Sequence, residues 1–554
     1  MCNEPCLRGG DARSNRIPFL NRSPAAALAA LAGCATLLAA PLRAGALPPG
    51  AVLPESGPAV ATPVRVDIDA GTVLHTVDER SFHGINFVAL WNDTGDAPGA
   101  VQAFSRMGQG LVRFPGGCPC EWYDWKDPLA SGFSTLTPDA AWRFAKAGGA
   151  RMIFQTNIAN DGGGTNKTTR APYTFDSSGA HAAGWVNSAR EAGIGVAFWE
   201  IGNEPEMDAP GPHKKSQEAV YAWYNAKFEE QARAIRKADP KARIMGPAAC
   251  NTWFWWHEKN LEKFMKAHGN KAGSGLVDAV SLHWYPEGSA GTWAQKRGTA
   301  QEWVACMDYI RRTLRQYDTR DLPVYITEWN WGAGDKTDGA RRLSNALGVA
   351  DCLGMFLRTG VAGQTFFCLQ KIDRGWGVLA MKQDCRPQNS ASPTYYALAL
   401  ASQLGGAVLA TTNSADEANV LSAYATRKKN GSLQVMLINK SNGVIPVQLA
   451  FRGYAPVGRT AAVYTLQGIS SVPKEADARP GEAGAAGKGC NASGGLTAPA
   501  GKDPINDTEV VVNGARSPEL EAGAFLKPAT LRIQTPVVAH AVPPCSLTVL
   551  VLSP

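Results

Sequence analysis

Residues 195–207, GVAFWEIGNEPEM, and residues 322–332, LPVYITEWNWG, share one construction. Each is an apolar run rich in β-branched and aromatic residues that delivers a glutamate near its end, Glu204 in the first and Glu328 in the second. A near-continuous apolar run fits a strand covered on both faces, which is the condition of a parallel sheet. A carboxylate at the carboxyl end of such a strand stands where α/β barrels place their chemistry. Working outward from these two, strands are expected at 82–87, 111–114, 152–156, 195–201, 243–246, 279–283, 324–327 and 365–369. They are eight in number, lie roughly 30 to 50 residues apart and alternate with helical patterns, as a (β/α)8 barrel requires.

The helices between them carry start and stop signals. Thr137-Pro138 supplies an N-cap and a first-turn proline, with Gly148-Gly149 as the stop. Ser216 opens a long amphipathic helix that ends before Asp239-Pro240, with Arg236 and Lys237 at its negative end. A third helix is expected from 299 to 317. After about Gly405 the apolar period falls to two, at 420–426, 432–438, 444–451, 459–466, 510–512, 530–534 and 546–552. Asn430-Gly431 between two of these runs predicts a two-residue hairpin. The reading is therefore an α/β chain: a (β/α)8 TIM barrel over 64–405, then an antiparallel β-sandwich over 406–554. Residues 64–70 are free to join the sandwich, and 474–507, rich in Gly, Ala, Pro and Glu, is expected to be a flexible insertion.

Composition excludes other classes. With 554 residues, 45% hydrophobic and 19% charged, and 16 tryptophans, the chain is neither disordered nor a coiled coil. Its net charge of +7 includes five arginines set against Glu4 and Asp11 in the first 45 residues, so the remainder carries +4, too little to argue for nucleic acid. Residues 1–46 read as an export signal, polar and Arg-containing to Arg22 and then apolar over 24–42, with small residues at 44–46 for cleavage; 47–63 is a linker. The expected location is secreted or periplasmic. Leu31-Ala32-Gly33-Cys34 offers the alternative of a lipid anchor on Cys34 in the outer membrane, but residues 35–41 remain largely apolar where a lipoprotein turns polar. No other run reaches membrane-spanning length. Of 12 cysteines, three lie in the export segment; Cys490 with Cys545 and Cys368 with Cys385 are the expected disulfides. Cys118-Pro119-Cys120 lacks a second pair at zinc spacing and no His-Glu-x-x-His occurs, so neither a metal nor a cofactor is expected.

Strands four and seven flank one barrel mouth, so Glu204 and Glu328 face a substrate bond from opposite sides. A retaining glycosidase uses such a pair, one carboxylate as nucleophile and one as acid/base. Four segments, LVRFPGG (111–117), WEIGNEPE (199–206), SLHWYP (281–286) and ITEWN (326–330), occur in order at barrel spacing. On these segments the chain resembles the retaining glycoside hydrolases of clan A, and within them families 51, 39 and 79, which include α-L-arabinofuranosidases, β-xylosidases and β-glucuronidases. The resemblance implies that Glu204 is the general acid/base and Glu328 the nucleophile. It further implies that Asn203 holds the sugar 2-hydroxyl, that Arg113 pairs with Glu328 to keep it ionised, and that Tyr285 hydrogen-bonds the same carboxylate. His283 is expected at the substrate or the acid/base.

Other residues are read directly. Trp376, just after strand eight, is expected to stack on a sugar ring, and Asn157 and Gln370 to meet hydroxyls. Trp91, Trp122, Trp253 and Trp255 fall in other mouth loops, each more often packing than subsite. Glu206 lies two residues beyond the frame that selects Glu204, while Glu121 and Glu287 read as solvated loop charges. Lys371 and Arg374 around Asp373 suggest either a local ion pair or attraction of a uronate. Strand one ends His83-Gly84-Ile85-Asn86-Phe87 and lacks the glutamate that arabinofuranosidases often place there. The expectation is an exported glycosidase acting by double displacement on a plant or microbial polysaccharide or oligosaccharide. A carbohydrate is the one partner implied. The alternatives are a barrel that binds polysaccharide without cleaving it, and a transglycosylase using the same intermediate.

Overall fold

Eight parallel strands close a barrel: Gly84–Asn86, Leu111–Phe114, Arg151–Thr156, Val196–Ile201, Ile244–Ala249, Ala279–Trp284, Val324–Trp329 and Gly363–Phe366, numbered one to eight below. The computed structural model describes residues 62–89, 98–130, 136–159, 162–165, 172–286, 292–332, 341–371, 376–381, 386–471, 504–518 and 527–554. The export segment, Trp91, Glu287, Asp373, Arg374 and most of 474–507 lie outside them, as do Cys385 and Cys490, one member of each expected disulfide.

Alternation along the strands sorts the barrel into layers. Leu111, Ile153, Phe198, Met245, Ala279 and Tyr325 cluster as an apolar floor inside the barrel. Two residues further along, on the same face, stand Arg113, Gln155, Glu200 and Ser281, all completely buried. The intervening Val112, Phe114, Met152, Phe154, Trp199 and Ile201 point outward and pack under the helices. Lateral register then decides who meets whom: Asn86 pairs with Arg113, Gln155 with Glu200, and Glu328 with His283.

The helices start where their caps predict. Thr137 accepts from the Ala140 amide at 3.1 Å ahead of the helix Pro138–Ala147, and Ser216 accepts from Ala219 at 3.1 Å ahead of Gln217–Ala238. The helix expected from 299 is a 3-10 turn, Thr299–Glu302, running into an α-helix, Trp303–Tyr317.

The second half is one curled, mostly antiparallel sheet of 11 strands that folds its two ends over a common core. It recruits the strand Val64–Val77, which runs antiparallel to Gly406–Asn413 and parallel to Ile445–Arg452 and extends well past the expected residue 70. Strand Leu433–Asn439 shows why this half docks firmly. Val435 and Leu437 enter the sandwich core, whereas Met436 and Ile438 face the barrel's helices and join its core. A buried ion pair reinforces the junction: Lys440 Nζ lies 2.6 Å from Asp351, which also accepts the Tyr424 hydroxyl at 2.7 Å. The hairpin at Asn430-Gly431 is longer than the two residues expected. Lys428 donates to the Ser432 carbonyl at 3.0 Å, leaving three loop residues, and Gly431 takes the left-handed position (φ 85°) that a three-residue loop requires.

Candidate active site

Arg113 is the hub of the barrel mouth. Its Nε donates to Glu200 Oε2 at 2.6 Å, Nη1 to Asn86 Oδ1 and Glu328 Oε2 at 3.0 Å each, and Nη2 to Asn203 Oδ1 at 3.0 Å, with His283 Nε2 3.2 Å away. One fully buried guanidinium thus ties together strands one, two, four, six and seven, using the planar fork that suits several acceptors at fixed angles. Glu328 receives a second donor, the Tyr285 hydroxyl at 2.8 Å on Oε1, so both of its oxygens are oriented. Gly117 (φ 78°) lets the chain pass close by: a Cβ there would sit 3.3 Å from Glu328 Oε2 and 3.2 Å from the Phe367 ring.

The tautomer of His283 follows from its neighbours. Arginine has no acceptor, so Nε2 must present a lone pair to Arg113, and Nδ1 carries the proton. Nδ1 lies 2.8 Å from Glu204 Oε1 and donates to it. Burial pushes the imidazole down to about 4, outweighing the nearby carboxylates, so the ring is neutral in the range where proteins work. Atoms of Glu204, His283 and Glu328 lie within 4.8 Å of one another, a spacing that would suit a cation. The His283 nitrogen facing this centre bears its proton, however, which is not the form a metal ligand takes.

Glu204 follows strand four in the left-handed region (φ 36°, ψ 65°), where a non-glycine residue costs about 1–3 kcal/mol. Its amide is held by the Ala248 carbonyl at 2.9 Å. Burial raises the pKa of Glu204 above the ordinary glutamate value, partly offset by the Cys250 thiol and Arg113. Asn203 turns Oδ1 to Arg113 and Nδ2 to Asp208 at 3.2 Å. Trp376 meets Phe367 and Tyr285 edge to face at 5.7 and 5.8 Å, and its buried indole N–H has no hydrogen-bond acceptor among the described residues.

The structure gathers Arg113, Asn203, Glu204, His283, Tyr285 and Glu328 into one network, with Trp376 packed on Tyr285. Asn157 and Gln370 are engaged elsewhere. Asn157 Oδ1 accepts from the Ala159 amide at 3.1 Å, and the Gln370 amide braces Ala380 and Asn389 at 3.2 and 3.1 Å. Lys371 is buried with Nζ 5.3 Å from the Trp376 ring centre. Trp255 is a core residue donating to the His283 carbonyl at 3.1 Å, while Trp253 is exposed. Glu121 corrects the sequence reading: it is buried and accepts from the amides of Ile158 and Ala159 at 2.8 and 2.7 Å, and burial raises its pKa. Glu200, Asn86 and Gln155 were not singled out. Gln155 accepts from the Gly116 and Gly117 amides at 2.8 and 3.1 Å, and its own amide reaches Asn203 at 3.4 Å.

Comparison with known proteins finds similarity among glycoside hydrolases. Residues 137–288, which span strands three to six and contain Glu204 and His283, match the model of glycoside hydrolase family 44. Endoglucanase A of Paenibacillus lautus is 21% identical over 223 residues, covering 31% of this chain; the matched part spans about a third (31%) of that protein's length. Among solved structures, a bifunctional glucanase-xylanase from a metagenome library superposes with a TM-score of 0.60 at 15% identity, covering 89% of this chain and 99% of the other. The α-L-arabinofuranosidase of Thermotoga maritima gives 0.58 at 16% identity (88% and 99% covered), and a family 44 xyloglucanase of Paenibacillus polymyxa 0.58 at 12% (89% and 99%). These structures share the fold of barrel and sandwich. Residues 137–288 thus carry the match to a glycoside hydrolase family, and the chain resembles the glycoside hydrolases of clan A.

Proposed function

We propose that this protein is a retaining glycosidase in which Glu328 attacks the anomeric carbon and Glu204 protonates the departing oxygen and later activates water. The observation that carries the reading is the approach of the Glu204 and Glu328 carboxyl oxygens to within 4.8 Å of each other. Retaining enzymes hold their carboxyl groups about 5–5.5 Å apart, whereas inverting enzymes need roughly 6.5–9.5 Å to admit a water. The two environments also divide the roles. Glu328 sits against the Arg113 cation and the Tyr285 hydroxyl, donors suited to a carboxylate nucleophile. Glu204 has its pKa raised by burial, which suits a group that must hold its proton until the leaving oxygen departs. The half-buried Trp376 ring, packed edge to face on Tyr285, supplies a face for the C–H groups of a sugar.

The substrate is a polysaccharide or oligosaccharide. At the end of strand one, Asn86 is committed to Arg113 and to the Thr327 and Thr365 carbonyls, and residues 87–89, the described ones that follow, hold no carboxylate, in line with a glucan or xylan backbone rather than a terminal arabinofuranoside. The test is a panel of xyloglucan, β-1,4-glucan and xylan beside aryl xylosides, arabinofuranosides and glucuronides, with the product anomer followed by proton NMR. Retention on one or more of these is expected. Inversion, or binding without turnover, overturns the proposal, and transfer to sugar in preference to water would make the protein a transglycosylase. The sequence of residues 1–46 further supports export with cleavage near residues 44–46. Mass spectrometry of the mature N-terminus is expected to show that cut, and a diacylated Cys34 would replace it with a lipid anchor.

Arg113→Lys is expected to lower kcat/KM by about 10²–10³-fold while the protein still folds, because an ammonium cannot reproduce a fork that serves five acceptors. Near-normal turnover would reduce Arg113 to a structural cation.

A further inference from the structure

Arg113 holds two carboxylates, and only one of them meets the mouth. Its Nε donates to Glu200 Oε2 at 2.6 Å and its Nη1 to Glu328 Oε2 at 3.0 Å, while its other acceptors, Asn86, Asn203 and the neutral His283, carry no charge. The Glu328 side chain is 10% exposed, whereas those of Glu200 and Arg113 are completely enclosed. Glu200 therefore does not touch a substrate. Its second oxygen, Oε1, is buried without a hydrogen-bond partner among the described residues, so the hydrogen bonding that Glu200 shows there is all to Arg113.

The proposed reaction moves charge away from this cation. A Glu328 oxygen bonds to the anomeric carbon as the glycosidic C–O bond breaks, and the departing oxygen takes the Glu204 proton, so one negative charge leaves Glu328 and one appears on Glu204. The five N–H groups of Arg113 already point at five other acceptors, none of them Glu204. Arg113 thus loses an ionic partner in direct contact, and a buried guanidinium left with none is strongly destabilised.

We propose that Glu200 is a positioning residue for the nucleophile, the permanent counter-ion that keeps Arg113 neutralised while Glu328 is an ester. The proposal rests on the glycosidase reading above. Without the Glu200 charge, Arg113 holds the ionised Glu328 more tightly and resists its conversion to an ester. Formation of the glycosyl-enzyme then slows, whereas its breakdown, which returns the charge to Glu328, slows far less.

A fluorinated glycoside with a dinitrophenolate leaving group reads both steps on one protein, as the rate of inactivation and the rate of reactivation once the reagent is removed. Glu200→Gln is isosteric, and its oxygen still accepts from Arg113 Nε, so the variant removes the charge and keeps the bond. Inactivation is expected to slow about 10²-fold and reactivation by less than about tenfold. Glu200→Asp keeps the charge at a shorter reach and should slow the two steps alike, leaving their ratio at the wild-type value.

Two outcomes overturn the proposal: an unchanged ratio of the two rates in Glu200→Gln, which would signify packing, or a ratio in Glu200→Asp that departs from wild type in favour of reactivation. The aspartate arm decides alone if the glutamine variant does not fold. Failure of the glycosidase reading is separable, since the wild-type protein itself would then take no label on Glu328.

Discussion

Replacing Glu328 by Gln is expected to abolish turnover, by on the order of 10⁵-fold, while leaving the fold intact. The site tolerates the amide because one oxygen still accepts from Arg113 and the Tyr285 hydroxyl can rotate to accept from the new NH2. What is lost is the ability to form a covalent ester with the anomeric carbon, and no other carboxylate can replace it. Glu200 is held at the level below by Arg113 Nε, and Glu206 is caged by Tyr221, Asn260 and the Cys250 amide. A fluorinated glycoside that traps the intermediate should label Glu328 in the wild type and nothing in the variant. Substantial turnover of an activated aryl glycoside by Glu328→Gln, or label on a different residue, would sink the nucleophile assignment.

The parts of the site legible in sequence were those announced by a frame: a carboxylate or histidine at the end of an apolar strand. Asn203, Tyr285 and Arg113 came from the resemblance of the motifs that hold them, and Glu204, His283 and Glu328 announce themselves in this way. Glu200 did not, although it carries its own signal. A charged residue in the middle of GVAFWEIG, two positions after Phe198, must face the barrel interior, because Phe198 belongs to the apolar floor there. It therefore demands a buried cation, and the one other charge at that level of a strand is Arg113. Asn86 and Gln155 were hidden for a different reason, since their roles depend on lateral register between strands, which a single strand's pattern does not encode. Glu121 was misread because it sits in a polar, Cys-containing loop, and only the tertiary course of the chain delivers the Ile158 and Ala159 amides to it. In the second half, alternation located the core strands, but the hairpin reading used the Asn-Gly pair alone and missed the extra residue that lets Gly431 take the bulge position.

Glu204→Ala should separate the two chemical steps by leaving-group ability. With a poor leaving group the first step needs a proton on the departing oxygen, and its loss is expected to cost about 10²–10⁴-fold. Dinitrophenolate departs without such help, so the variant should still form the glycosyl-enzyme on Glu328 and then stall, for no base remains to activate water. The kinetics should show a burst of phenolate followed by a slow steady state. Azide, already anionic, needs no base and has the alanine cavity to enter, so it should restore turnover and give a glycosyl azide with the anomeric configuration of the substrate. His283 sharpens this expectation. Its Nδ1 proton loses its acceptor when the Glu204 carboxyl is removed, which leaves a buried donor beside the cavity that an anion can satisfy. If azide fails to rescue Glu204→Ala but rescues Glu206→Ala, the acid/base is Glu206. If the azide product has the opposite configuration to the substrate, azide has attacked the substrate directly and the covalent intermediate is not on the path.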